Sequence, residues 1–312
     1  MKTIFLTGAS GFVGQAVVHS LLARLLPEDR IYLLTRRTPD ISDSRILELR
    51  GDLADLDRFA AYIRQARYII HLAGEARLCG THDYATSNID PTRKLLELAT
   101  PGGVCQRFVF VSSIAAMDRV SSDRCDGPLT AAGACRPRTE YGRSKLMAEQ
   151  FVINSGLPFT IFRPGFIFGP GMRKESHLRR FAGYIHRGVP LDRLDFPGKI
   201  SLVHVADLAD AITCCLYGDA GVNRTYLAVS HTLRMGQVMA LLGESLTGHK
   251  VPQIELRGIA PVVRRFHYLL PTVVACMFTD YFHAVDDDFL DDFFDHTPRL
   301  LSQTVDQVAA DI

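Results

Sequence analysis

Thr7-Gly8-Ala9-Ser10-Gly11-Phe12-Val13-Gly14 is the stretch on which the reading of this 312-residue chain turns. Thr3-Ile4-Phe5-Leu6 precedes it, a short apolar run suited to a strand buried on both faces. After it, Val13, Val17, Leu21, Leu22 and Leu25 recur at helical spacing until Pro27 closes the segment. The order strand, glycine turn, helix aims free backbone N–H groups and the positive end of a helix dipole at one point. A pyrophosphate fits there, because glycine lets the backbone approach closely and a helix N-terminus favours negative charge. Glycine triplets are common; the second apolar strand, Ile31-Tyr32-Leu33-Leu34, lies at the distance expected of a dinucleotide site.

The alternation continues. Ile46 to Arg50 reads as a strand ending at Gly51-Asp52, and 54–66 as a helix. Tyr68 to Ala73 is a fourth strand, 83–99 a helix despite Pro91, and Arg107 to Val111 a fifth strand running into Ser112-Ser113. Such alternation predicts an α/β fold of Rossmann type, a doubly wound parallel sheet with ligands beyond the carboxyl ends of its strands. Residues 117–139 are polar and read as a long loop. A helix over 140–155 and a strand over 159–163 follow, stopped by Pro164-Gly165. Later helices are expected near 174–187, 207–217 and 235–247, with strands near 201–205 and 225–229. We therefore expect a dinucleotide-binding domain over 1–165, its sheet completed by segments near 200–230. A smaller, mainly helical, substrate-capping part occupies 166–312. Phe278 to Phe294 mixes aromatics with six aspartates; consecutive aspartates diverge on a helix, which favours an acidic solvent face over a cation site.

The totals narrow the function. A net charge of +1 excludes bulk electrostatic attraction to nucleic acid or an anionic membrane. No apolar stretch is long enough to span a bilayer, and a strand begins at once, so a cytoplasmic protein without a signal peptide is expected. Seven cysteines without a C-x-x-C pair fit reduced thiols and no metal site. Arginines number 29 against six lysines, so any single arginine weighs little.

Tyr141-Gly142-Arg143-Ser144-Lys145 opens a helix and puts Tyr141 and Lys145 one turn apart on one face. An ammonium group near a phenol favours tyrosinate, which makes Tyr141 a candidate general acid or base for a carbonyl/alcohol pair. Ser113, at the end of the fifth strand, can hold the substrate oxygen near it. Ser112 is the neighbouring candidate, and alternation along a strand lets only one of the two face the site. Y-x-x-x-K alone is weak, since a surface tyrosine beside a surface lysine would look the same.

Together these features resemble the short-chain dehydrogenase/reductase superfamily, in its extended branch of NAD(P)-dependent epimerases and dehydratases. The resemblance spans about residues 3–230. It rests on Thr7-Gly8-x-x-Gly11-x-x-Gly14, Gly51-Asp52, His71-Leu72-Ala73-Gly74, Asn88, Val111-Ser112-Ser113 and Tyr141-x-x-x-Lys145, then Arg163-Pro164-Gly165 and Val203-His204-Val205-x-Asp207. It implies that Ser113, Tyr141 and Lys145 are catalytic and that Tyr141 and Lys145 also bind the cofactor, Lys145 through a ribose. It further implies that Gly8, Ser10, Gly11, Phe12, Val13 and Gly14 cradle the cofactor, and that Asp52 and Leu53 meet its adenine. Leu72, Ala73, Gly74 and Ser112 would line it, with Pro164, Gly165 and Ile167 near the nicotinamide and substrate. It also implies a homodimer through the helices near 83–99 and 140–155.

Two departures shape the functional expectation. Members of this branch that prefer NAD carry an acid at the end of the second strand, where this chain has Thr35-Arg36-Arg37. Without a carboxylate to repel a 2′-phosphate, and with Arg36 able to pair with one, NADP(H) is expected over NAD; an incidental arginine pair is the competing reading. Nucleotide-sugar members carry an Arg-Asp pair where this chain has Ile200-Ser201. Arg173, Arg179 and Arg180 can compensate, although a solvated helix face explains them as well. Glu75 and Arg77 stand at the mouth of the expected site, to contact substrate or each other, and His71 reads as a packed strand residue. The leading expectation is an NADP(H)-dependent oxidoreductase of a small-molecule carbonyl or alcohol. The alternatives are an NAD-dependent nucleotide-sugar epimerase or dehydratase, and a non-catalytic NADP(H)-binding subunit.

Overall fold

The apolar runs of the first half become strands, and nearly all of them join one sheet. The computed structural model describes the chain except for residues 38–40, 77–82, 101, 118–126, 257, 267–269, 271 and 310–312. Strands β1 (Thr3–Thr7), β2 (Arg30–Thr35), β3 (Ile46–Arg50), β4 (Tyr68–His71), β5 (Arg107–Val111) and β6 (Phe159–Pro164) alternate with helices α1 (Phe12–Arg24), α2 (Ala60–Gln65), α3 (Asp90–Ala99) and α4 (Glu140–Ile153). The second half holds β7 (Phe166–Phe168), α5 (His177–His186), β8 (Leu194–Asp195), β9 (Lys199–His204), α6 (Val205–Cys214), β10 (Arg224–Ala228), β11 (His231–Arg234) and α7 (Met235–Thr247). Then come β12 (Ile254–Glu255), α8 (Ala260–Arg265), α9 (Thr272–Phe278), α10 (Asp287–Phe293) and α11 (Leu301–Ala309).

The main sheet has seven parallel strands in the order β10-β6-β5-β4-β1-β2-β3. This is the doubly wound arrangement expected. The order reverses between β1 and β4, so a crevice opens beyond their carboxyl ends at Thr7 and His71, which pair in register. β1 and β5 are buried along their whole length, as strands covered on both faces must be. On one face Val17, Val18 and Leu21 of α1 pack with Leu208 and Ile212 of α6. On the other, Leu95 of α3 and Ala148 and Val152 of α4 cover Phe5, Phe108 and Phe110.

A three-stranded sheet, β11-β9-β7, carries the second core, in which Phe168, Phe181, Leu202 and Met239 meet. β7, β8, β11 and β12 are two to four residues long, too short for a hydrophobic period, and the sequence did not announce them. The helix expected over 54–66 is a tight turn at Leu53–Phe59, capped by Asp52, followed by α2. Pro91 is tolerated because it lies in the first turn of α3, where no backbone donor is required, behind a wide turn at Ala85–Ile89.

The acidic aromatic stretch becomes a strut on the sheet edge. Phe289 and Phe293 are buried against Phe162 and Tyr226. Asp292 accepts from Tyr226 and Arg224, Asp288 pairs with Arg224, and Asp286 accepts from the Leu227 amide. Among the described residues no group of His, Cys, Asp or Glu is placed to hold a metal, and no helix is long and apolar enough to cross a membrane.

Candidate active site

The three glycines of the opening turn serve different needs. Gly8 has φ +81°, and a Cβ there would lie 2.6 Å from the Ala73 amide nitrogen. A Cβ on Gly14 would lie 2.0 Å from the Gly8 carbonyl. The protein itself requires both. Gly11 is different: its φ is −81°, open to any residue, and a Cβ would meet only the Gly8 carbonyl at 3.2 Å and Arg173 Nη2 at 3.7 Å. The chain crowds a side chain there far less than at Gly8 or Gly14, which fits a ligand that must approach the backbone. Gly11 also caps α1 without any side-chain hydrogen bond, so no cap occupies the first-turn N–H groups around Phe12 and Val13. The side chains of Phe12 and Val13 are half-buried, and Ser10 is exposed on the rim. This cradle fits a dinucleotide pyrophosphate.

Beyond β5, the strand-end serine that turns to the helix is Ser113. Its hydroxyl lies beside the phenol of Tyr141, near enough to draw that group's pKa down, and accepts from the Ala115 amide. Ser112 is buried, and its Oγ meets no partner among the described residues. Thr139 caps α4 by accepting from Gly142, so the helix starts where Tyr141 must face the site. Lys145, one turn on, is buried, donates from Nζ to the Val111 carbonyl at 3.0 Å and lies 5.0 Å from the centre of the Phe110 ring. Ser113, Tyr141 and Lys145 thus gather at the carboxyl edge of β5.

Their electrostatics depart from the expectation. Burial pushes the Tyr141 phenol up to about 12; the Ser113 hydroxyl pulls it down, and Tyr84 and Glu75 raise it further. Lys145 is brought down to about 8, also by burial, with Glu149 opposing. Its ammonium is spent on the Val111 carbonyl, so the chain alone does not lower the phenol as the i,i+4 spacing predicted.

The surroundings fix these groups. His71 is buried between the hydroxyls of Thr7, at 2.7 Å, and Thr92, at 3.0 Å, and burial lowers it to about 3, with the Lys145 charge in the same direction. It is a neutral packed residue, not a base. Asn88 clamps the loop after β4: its side chain accepts from the Glu75 amide and donates to the Glu75 carbonyl and to Ser144. A Cβ on Gly74 would lie 2.6 Å from Asn88 Oδ1. Leu72 and Ala73 are half-buried beside the cradle, their amides donating to Thr7. Tyr84 brings its ring centre to 6.0 Å from that of Tyr141, a neighbour that sequence reading missed because no motif marks it. Pro164 is buried, while Gly165 and Ile167 are half-buried where the main sheet passes into the second one. Arg77 lies outside the described residues.

Some candidates turn out otherwise. Arg179 is buried and donates to the Met172 carbonyl, so it does not lie on a solvated face. Ile200 is buried in the second core, and Ser201 binds Thr232 and the Ala284 carbonyl, so the uncharged pair there is structural. Asp52 is engaged with Leu53 and Asp55 in the cap of the turn that follows it. Arg36 reaches the same carboxylate, with Nη1 3.7 Å from Asp52 Oδ2.

The comparisons with known proteins bear on this geometry. The chain is 28% identical over 237 residues to the UDP-glucose 4-epimerase of Vibrio cholerae, covering 72% of this chain and 70% of that one. It is 28% identical over 283 residues to the sterol demethylase protein B of Methylococcus capsulatus, covering 85% and 83%. In fold it resembles the UDP-glucuronic acid 4-epimerase of Bacillus cereus in complex with UDP-glucuronic acid and NAD, with TM-score 0.76, 17% identity, and 99% and 98% of the two chains covered. DesIV, a dTDP-glucose 4,6-dehydratase of Streptomyces venezuelae with NAD bound, aligns with TM-score 0.75 at 20% identity over 99% and 96%. The expectation of NADP(H) is overturned by these and other solved structures, which hold NAD. The physical reason lies beside Arg36: Asp52, just beyond β3, brings a carboxylate to 3.7 Å from its guanidinium, so the end of β2 is not the purely cationic site that a 2′-phosphate would need. Residues 4–227 match the model of the NAD dependent epimerase/dehydratase family. With the parallel sheet and the glycine turn at its switch point, that match makes this chain a member of that family and an enzyme of the extended short-chain dehydrogenase/reductase type.

Proposed function

We propose that this enzyme binds NAD at the glycine cradle and oxidises a secondary alcohol of its substrate, returning the hydride within the same catalytic cycle. The substrate class favoured by its relatives is a nucleotide sugar, and the reaction an epimerisation or dehydration. The observation that carries the reading is the gathering of Ser113, Tyr141 and buried Lys145 at the carboxyl edge of β5, next to the cradle. NAD, when bound, supplies the carbon that accepts and gives back hydride. Tyr141 removes the proton from the substrate hydroxyl and returns it. Ser113 holds the substrate oxygen in line with the phenol, and Tyr84 excludes water from one side of it. Lys145 holds a buried charge near that oxygen, and Asn88 keeps Gly74 and Glu75 in place at the mouth.

Incubation with UDP-glucose, UDP-glucuronate and dTDP-glucose in the presence of NAD tests this. The expected result is conversion of one sugar, seen by chromatography, without net change in absorbance at 340 nm. A second reading keeps NAD but replaces the sugar with an apolar alcohol. Ile200 and Ser201 favour it, because no arginine stands there to grip a diphosphate. Stoichiometric NADH formation with a sterol or lipid alcohol, and none of the sugars converted, would replace the first reading by the second.

A further inference from the structure

The glycine cradle has a second wall, contributed by the loop after β7. That loop turns at Gly169 and Gly171, with φ of +136° and +78°. Met172 anchors it, its side chain in the second core and its carbonyl held at 3.0 Å by the buried guanidinium of Arg179. Next along the chain, Arg173 is exposed and directed back across the molecule, with Nη2 3.7 Å from the point where a Gly11 side chain would begin. Gly11 is the glycine of the turn that the protein crowds least, with the Gly8 carbonyl 3.2 Å from where its side chain would begin. The guanidinium therefore stands over the space reserved for phosphate. Its side chain makes no hydrogen bond or ion pair among the described residues, whereas Arg36, Arg163, Arg224, Arg234 and Arg299 each face a carboxylate.

We propose that Arg173 is a phosphate-binding arm: it pairs with the pyrophosphate of the bound dinucleotide from the side opposite the α1 N-terminus. This rests on the NAD reading above. A fork of N–H donors on an anchored loop suits a diphosphate, and the contact links the second core to the cofactor through Met172 and Arg179.

The test is binding, measured by titration calorimetry with NAD, ADP-ribose and adenosine on the unmodified chain, R173A and R173K. Removal of one charge-assisted contact predicts about tenfold weaker binding of NAD and ADP-ribose by R173A, with a shallower dependence on salt. R173K retains most of the affinity, and adenosine, which has no phosphate, binds all three alike. Equal NAD affinity of R173A and the unmodified chain would overturn the arm and leave the NAD reading intact. So would an equal loss for adenosine. No NAD binding by the unmodified chain would overturn both.

Discussion

Arg163 and Glu149 meet inside the molecule at two points, Nη2 to Oε2 at 2.6 Å and Nε to Oε1 at 3.0 Å. Glu149 is fully buried and Arg163 nearly so. The pair joins α4, which carries Tyr141 and Lys145, to β6, which leads into Pro164 and Gly165. Glu149 lies eight and four residues along α4 from Tyr141 and Lys145, and Arg163 directly precedes Pro164 at the end of β6.

Arg163→Met is therefore expected to cost about 3–5 kcal/mol, because it strands a buried carboxylate. Denaturant unfolding measures the loss. The double change Arg163→Met with Glu149→Leu should recover much of it, since neither charge is then left alone. A double variant as unstable as the single one would show that packing, not the uncompensated charge, sets the cost.

Tyr141→Phe removes the group that moves the proton while keeping its ring against Tyr84. Turnover should fall by about 10²–10⁴-fold, the usual scale for a general acid or base. Affinity for NAD should stay within about twofold, since the cradle is elsewhere. Retention of more than a tenth of the activity would remove Tyr141 from the proton path and return the non-catalytic alternative to consideration.

Much of this site was legible in the sequence, for reasons that particular residues make clear. Gly8, Gly11 and Gly14 sit at fixed offsets because one turn must bring a strand, a helix and a ligand together. Tyr141 and Lys145 share a face because a helix repeats every 3.6 residues. The cofactor preference was misread, because Arg36 finds its partner at Asp52, sixteen positions along and across two strand ends. Tyr84 was invisible as a site residue for the same cause, and Arg173 was read only as a substitute for the missing diphosphate grip: tertiary folding brings both to the cofactor side, and no local period marks them. The short strands β7 and β11 are specified by the partners they pair with rather than by their own residues.

Gly11 and Gly14 separate binding from folding. Gly11→Ala places a methyl group 3.2 Å from the Gly8 carbonyl, a contact that a shift of a few tenths of an ångström relieves, so thermal stability should fall only slightly while NAD affinity drops on the order of tenfold or more through collision with the pyrophosphate. Gly14→Ala drives a methyl group to 2.0 Å from the Gly8 carbonyl, so the chain itself must shift. Its melting temperature should fall by several degrees, roughly 2–4 °C for each kcal/mol at this size. Equal stability loss in both variants would mean that Gly11 also serves the fold.

His71 makes stability depend on pH. Its ordinary value of 6.5 is lowered to about 3 in the fold, chiefly by burial and further by the Lys145 charge. The unfolded chain therefore holds more protons on this residue between those two values, and stability must rise with pH across that window. At pH 7 the histidine is neutral in both states and contributes no dependence. On acidification below 6.5 it withdraws about 1.4 kcal/mol per pH unit, until other groups unfold the chain first. His71→Asn keeps a polar side chain between Thr7 and Thr92 but cannot titrate. Unfolding free energies measured from pH 7 to 4.5 should fall less steeply in this variant than in the parent, by about one proton's slope. Parallel curves would mean that His71 takes up its proton in the folded state, and that its buried hydrogen bonds to the two threonines do not hold it neutral.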